Sequence, residues 1–270
     1  MTTQTPTQTH APIDTAHAPQ RTGVLTDTWN VLVRELRPVL RDPFSALFSL
    51  VQPLVFLGLF GPLLVASSGL PAGETLQWFV PGILVMVALF GTASTGANLL
   101  GEMQTGSHER TLVAPLSRSA LLMGRALKEV VPLIVQGLVI CLVALPFGFT
   151  VSLPGLALGF VLLAVFGIGF GALSYSVALA CRNRDWMFWL IHQTLIFPLM
   201  ILSGMLLPLD DAPGWMKVGA AVNPLSYVVQ AERDLFAGSL GTPAVLGGFA
   251  AAAVTAVIGL WVGIRAMRRA

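Results

Sequence analysis

Five stretches of this chain, residues 43–73, 75–101, 130–181, 186–209 and 235–264, contain no Asp, Glu, Lys or Arg. A helix needs about 20 apolar residues to cross the hydrocarbon of a bilayer, so each stretch is long enough to cross, and the third can cross twice. The middle of the third reads FGFTVSLPG from Phe147 to Gly155, a Gly/Thr/Ser/Pro cluster that marks a turn. Six spans follow, near 46–66, 76–99, 130–148, 156–180, 186–208 and 244–264. The apolar runs are continuous and lack the alternation that barrel strands require, so the spans are helices and the fold class is all-α integral membrane. With 55% apolar and 10% charged residues, too little charge remains to cover a soluble surface.

Charge position then orients the chain, because loops rich in Lys and Arg stay cytoplasmic. Arg21, Arg34, Arg37 and Arg41 precede span 1. Arg110, Arg118, Arg125 and Lys128 lie between spans 2 and 3, Arg182 and Arg184 between spans 4 and 5, and Arg265, Arg268 and Arg269 after span 6. Lys217 and Arg233 alone fall on the other side, so both termini are expected in the cytoplasm. The formal net charge of +2 points to no nucleic-acid partner. Cys141 and Cys181 sit inside apolar runs, which fits neither a disulfide framework nor a metal site.

The N-terminal region, 1–24, is rich in Thr, Gln, Pro and His and reads as a disordered cytoplasmic tail, with His10 and His17 part of that composition rather than metal ligands. Over 25–42 the pattern becomes helical. Leu25, Trp29, Leu32, Val33, Leu36 and Leu40 recur at three- and four-residue steps beside a stripe of Arg34, Arg37 and Arg41. An apolar face with a Trp and a basic flank suits an amphipathic helix lying on the cytoplasmic leaflet. The six-span domain, 43–270, follows.

The cytoplasmic segment EMQTGSHERTLVAPLSRSALLMGRALK, from Glu102 to Lys128, is too apolar for a solvated loop. Ser107 can cap a short helix with Glu109 and Arg110 in its first turns and Leu112, Val113 and Leu116 as an apolar ridge, and Ser119 can cap the helix leading into span 3. Such a ridge needs a partner surface or the bilayer to cover it. After span 5, Pro213 can start a short helix carrying Trp215, Val218 and Val222, which ends at Asn223-Pro224; a second runs from Leu225 to about Phe236. Both are too short to cross and read as re-entrant helices on the outer side. Glu232 and Arg233 are adjacent, point apart, and must find partners elsewhere.

Within the assigned spans there is no Asp, Glu, Lys or Arg, which argues against an ion-coupled pump and against a membrane enzyme. His192 is the one titratable candidate near a span centre. Thr92, Ser94, Thr95 and Asn98 on span 2 read as interhelical hydrogen-bonders, and Gly155, Gly159, Gly167 and Gly171 as close-packing positions on span 4. Met86 and Phe90 on span 2, with Phe197, Met200 and Met205 on span 5, can line a path for an adaptable, hydrophobic cargo, packing being the alternative for each.

The run Glu102, Gly106, Glu109, Leu112, Pro115, Ser117, Arg118 and Gly124 resembles the coupling-helix motif of type-2 ABC transporter permeases. A second resemblance to that family covers Ser203, Gly204, Pro208, Pro213, Trp215, Asn223, Pro224, Tyr227, Arg233 and Gly238. The similarity spans about 25–269 and is nearest the daunorubicin-resistance type of drug-export permease. It implies a homodimeric, multi-pass subunit of the cell membrane, driven by two copies of a separate ATP-binding subunit that holds ATP and Mg. Its coupling contacts would be Gly106, Glu109, Arg110, Leu112, Leu116, Ser117 and Arg118, and its outer gate Pro213, Trp215, Asn223, Pro224, Tyr227 and Arg233. The residues agree with that division: a P-loop needs Lys directly after a Gly, and neither Lys128 nor Lys217 follows one. The expected function is export of a hydrophobic or amphiphilic compound; a lipid-linked glycan cargo, or a membrane enzyme or scaffold, is the alternative.

Overall fold

The computed structural model describes residues 23–106, 118–182 and 184–269, and every regular element among them is helical. In chain order these are α1 (Val24–Arg41), α2 (Pro43–Ser68), α3 (Ala72–Gln104), α4 (Arg118–Lys128), α5 (Val130–Ala144), α6 (Leu153–Ala180), α7 (Asp185–Leu202), α8 (Gly214–Val222), α9 (Pro224–Phe236) and α10 (Pro243–Arg269). Among the described residues six segments are long and apolar enough to cross a bilayer: α2, α3, the α4–α5 unit over Ser119–Phe147, α6, α7 and α10. They coincide with the six expected spans.

Span ends follow local chemistry. The backbone of α3 stops at Gly106, whose φ of 67° closes the last turn with its N–H on the Met103 carbonyl at 3.2 Å. At the start of α6 the Ser152 hydroxyl accepts from the Gly155 N–H at 3.2 Å, with a proline in the first turn. The fifth span ends earlier than the expected 208. Gly204 adopts a φ of 70°, the Ser203 hydroxyl donates to the Met200 carbonyl at 2.7 Å, and the chain turns out of α7 after Leu202. The sequence stays apolar through Leu209, so charge alone did not reveal this turn.

The packed centre joins α3, α6, α9 and α10, and glycines decide how closely they approach. A Cβ on Gly155 would lie 1.8 Å from the Leu235 carbonyl oxygen of α9, and one on Gly259 of α10 would lie 2.0 Å from the Gly169 carbonyl oxygen of α6. The small residues of α6 therefore serve as contact surfaces to three neighbours, since Gly167 meets Thr92 of α3. Of the expected interhelical hydrogen-bonders on α3, Ser94 reaches the Glu129 carboxyl, whereas the Thr95 hydroxyl is buried without a partner. Thr92 and Ser94 also donate to the Ala88 and Gly91 carbonyls of their own helix at 2.7 and 2.6 Å, the local competitor always within reach of a helical hydroxyl. Another bond between helices comes from Ser174, which donates to the Ala93 carbonyl at 2.9 Å.

By contrast α2 and α7 are peripheral. Phe48, Val51, Val55, Leu59 and Leu63 on α2 and Trp186, Trp189, Leu190 and Leu195 on α7 are exposed, as lipid-facing or interface side chains are. At one end of the bundle α1 lies against α4. Its face of Asp27, Thr28 and Val31 is buried, and Val31 sits over Gly124. That leaves Leu25, Trp29, Val33 and Leu40 exposed together with Arg34, Arg37 and Arg41.

Candidate functional site

Two polar constructions stand at opposite ends of this apolar bundle. At the α1 end, the side chain of Arg125 on α4 is 3% exposed and tied to three other helices. Its guanidinium donates to Glu102 of α3 and to the Tyr175 hydroxyl of α6 at 3.2 Å, and lies 3.6 Å from Glu35 of α1. Lys128, one turn on, holds the other Glu35 oxygen at 3.4 Å. A buried guanidinium is tolerated when its fixed fork finds matched acceptors, and here the acceptors come from α3 and α6, while Glu35 of α1 adds opposite charge beside an Nε that makes no hydrogen bond. Gly106 and Arg118 bound the segment 107–117, so α3 ends two residues after Glu102 and α4 begins seven residues before Arg125. Glu109, Arg110, Leu112, Leu116 and Ser117 lie outside the described residues; of the expected coupling set the structure describes Gly106 and the helical backbone at Arg118.

Beside this junction a cleft of ≈ 920 Å³ runs between α2, α3 and α5. Met86, Val87, Phe90 and Leu133 line one part of it, and Glu35, Lys128 and Glu129 another. The Gln136 amide donates to the Ser49 hydroxyl at 2.9 Å and so ties α5 to α2.

At the opposite end α9 is driven into the bundle while α8 stays on its rim. Asn223 organises the corner: its side chain accepts from the Leu225 N–H at 3.1 Å and donates to the Leu199 carbonyl of α7 at 2.7 Å. Arg233 donates to the Trp78 carbonyl of α3 at 3.0 Å and the Gly204 carbonyl at 2.8 Å, with its guanidinium 4.0 Å from the Trp78 ring. Its neighbour Glu232 finds nothing. The side chain is fully buried against Gly159 of α6, both carboxyl oxygens lack a hydrogen-bond partner, and burial pushes its pKa up to about 8. Pro213 and Trp215 on the rim are exposed, Pro224 is half-buried, and Tyr227 donates to the Ala221 carbonyl at 2.7 Å.

The five residues expected to line one path are separated. Met200 and Met205 are core side chains, Met205 resting where its carbonyl oxygen would meet a Cβ on Gly82 at 2.3 Å. Phe197 is exposed on α7, and only Met86 and Phe90 of the set reach the cleft. Within this chain, then, they do not share one surface, because Met200 of α7 and Met205 in the turn after it face the core. His192 packs its ring against Phe188, with its Nε2 buried and without a hydrogen-bond partner. Sequence reasoning used Arg125 and Lys128 only as topology markers and did not single out Glu35. The available signal was a carboxylate four residues after Val31, on the α1 face that the apolar stripe leaves for another helix.

A family model described as ABC-2 type transporter matches residues 26–237. The chain belongs to that family. It is 24% identical to the daunorubicin resistance ABC transporter permease protein DrrB1 of Streptomyces coeruleorubidus, over 89% of this chain and 85% of the relative. It is 33% identical to a chain named as a transport permease, ycf38, of Cyanophora paradoxa, over 77% and 74% of the two chains. A third relative, 26% identical over 73% and 72%, is named for doxorubicin resistance, DrrC of Mycobacterium tuberculosis. This ABC-2 protein is thus a multi-pass membrane transport permease subunit rather than an enzyme.

Proposed function

We propose that this chain is the transmembrane half of an ATP-driven exporter of hydrophobic or amphiphilic compounds. It works as a homodimer with two copies of a separate ATP-binding subunit, which binds ATP and Mg, and both its termini are cytoplasmic. The observation that carries the reading is the buried Arg125 junction: it joins α1, α3, α4 and α6 beside the two ends of segment 107–117. A partner that pushes on this segment acts on the roots of two spans at once. The ridge of Leu112 and Leu116 supplies the docking surface, each buried leucine contributing roughly 1.5–3 kcal/mol. Relatives named for daunorubicin and doxorubicin resistance support a drug-like cargo, and α8 and α9 form the outer gate.

The test is co-purification with a co-expressed P-loop ATPase, together with cargo-stimulated ATP hydrolysis. The double variant Leu112→Asp/Leu116→Asp is expected to abolish both, and unchanged assembly and turnover would refute the coupling role. Orientation is read separately, with single cysteines in a Cys141→Ala/Cys181→Ala background. Ser68→Cys and Ala212→Cys are expected to label from outside intact cells, and Thr105→Cys only after permeabilisation. External labelling at Thr105→Cys would invert the map.

A further inference from the structure

The cleft between α2, α3 and α5 is amphipathic along its length. Met86, Val87, Phe90 and Leu133 make its apolar part, and toward α1 it is lined by Glu35, Asp42, Glu102 and Glu129 against one lining cation, Lys128. The pairing there is uneven. Glu102 is gripped by Arg125, and Lys128 lies 3.4 Å from Glu35 but 3.9 Å from Glu129. Glu129 has a side chain that is 10% exposed; the Ser94 hydroxyl of α3 hydrogen-bonds its carboxyl, but Oε1 is buried with no hydrogen-bond partner. A carboxylate held this way is incomplete, since a desolvated charge demands a counter-charge close by.

Among the described residues the lining holds more acidic than basic side chains, which disfavours an anionic ligand. The described residues hold no cluster of three or more metal-ligating side chains, which disfavours a bare divalent ion. A cation carrying its own apolar body satisfies both parts of the cleft, and ≈ 920 Å³ falls in the range that drug-sized molecules occupy. We propose that this cleft binds amphiphilic organic cations, with the positive centre at Glu129 and the apolar body against Met86, Phe90 and Leu133. The role as a cargo site rests on the exporter reading; the binding itself needs no ATPase.

The experiment uses the full-length permease in lipid nanodiscs with two probes of matched size and apolar surface, tetraphenylphosphonium and tetraphenylborate. The parent should bind the phosphonium saturably above empty nanodiscs and the borate weakly. Glu129→Gln should weaken phosphonium binding about tenfold or more, as removal of a desolvated charge partner does, without weakening borate binding, and Glu129→Asp should restore most of it. Lys128→Met, which removes the competing ammonium, should tighten phosphonium binding severalfold, a gain that misfolding cannot produce. The proposal is overturned if the parent shows no saturable phosphonium binding, if Glu129→Gln binds it like the parent, or if both probes are lost together. Phosphonium export from cells expressing the permease with its ATPase is scored apart: binding without export refutes the exporter reading and leaves the cleft standing.

Discussion

Replacing Glu232 by leucine should stabilise the protein, and by an amount that depends on pH. The carboxyl is fully buried on α9, which is not one of the six spans, and neither oxygen has a hydrogen-bond partner. Burial raises its pKa from 4.5 to about 8 in the folded state. Between these two values the folded protein retains a proton that the unfolded chain releases. The associated stability is therefore complete below pH 4.5, falls as pH rises, and is gone above about 8. From pH 4.5 to 7 the linkage amounts to about 3 kcal/mol at 1.36 kcal/mol per unit, or roughly 5–10 °C in apparent Tm for a chain of this size. Glu232→Leu keeps the volume, removes the unmade hydrogen bonds and does not titrate. The assay is intrinsic tryptophan fluorescence on heating in detergent at pH 5, 6, 7 and 8. The gap between variant and parent should widen steadily with pH, the variant being the more stable at neutrality. Parallel pH profiles, or a variant less stable than the parent at pH 7, would refute the reasoning.

Two further substitutions test the packing and the junction. Gly259→Ala places a methyl group 2.0 Å from the Gly169 carbonyl oxygen, backbone that cannot give way; a loss of about 1–3 kcal/mol should appear as early aggregation in gel filtration after heating, whereas Gly58→Ala on α2, which meets open space, should behave like the parent. Arg125→Leu removes the guanidinium from Glu102 and Tyr175 and leaves Glu35 to Lys128; it should cost roughly 3 kcal/mol, measured by loss of helical signal against added SDS, with Arg125→Lys intermediate because it keeps the charge but not the fork.

Much of the architecture was written in the distribution of charge. The charge-free runs located all six spans, because a bilayer excludes ionised groups regardless of how helices pack. The corner at Asn223-Pro224 was legible too, since a cap followed by a proline acts within a few residues. What escaped was set by contacts distant in sequence. Arg125 looks like any cytoplasmic arginine until α1 brings Glu35 to it, and Glu232, expected on a short helix to find a partner elsewhere, is instead buried against Gly159 without one. The inward packing of Met200 on α7 and of Met205 in the turn after it was hidden for a related reason: a largely apolar segment carries little periodic signal of which face its neighbours will cover.

The same contacts say where such a bundle can move. Helix α3 is 33 residues long, a strut of about 50 Å. Near one end its Glu102 is held by Arg125; near the other its Trp78 carbonyl is held by Arg233, and the Met205 turn rests on Gly82. A displacement along its axis would disturb both grips, and the close Gly–backbone approaches leave no slack between α6 and its neighbours α9 and α10. On the proposed reading, force delivered at segment 107–117 therefore reaches the α9 end through α3 as a whole rather than being absorbed by bending. The compliant element is the opposite wall of the cleft, where α2 is peripheral and the Gln136–Ser49 hydrogen bond ties it to α5. A tie of that kind, worth about 0.5–1.5 kcal/mol, is weak against the buried ion pairs at the junction, so the cleft should widen before the junction yields.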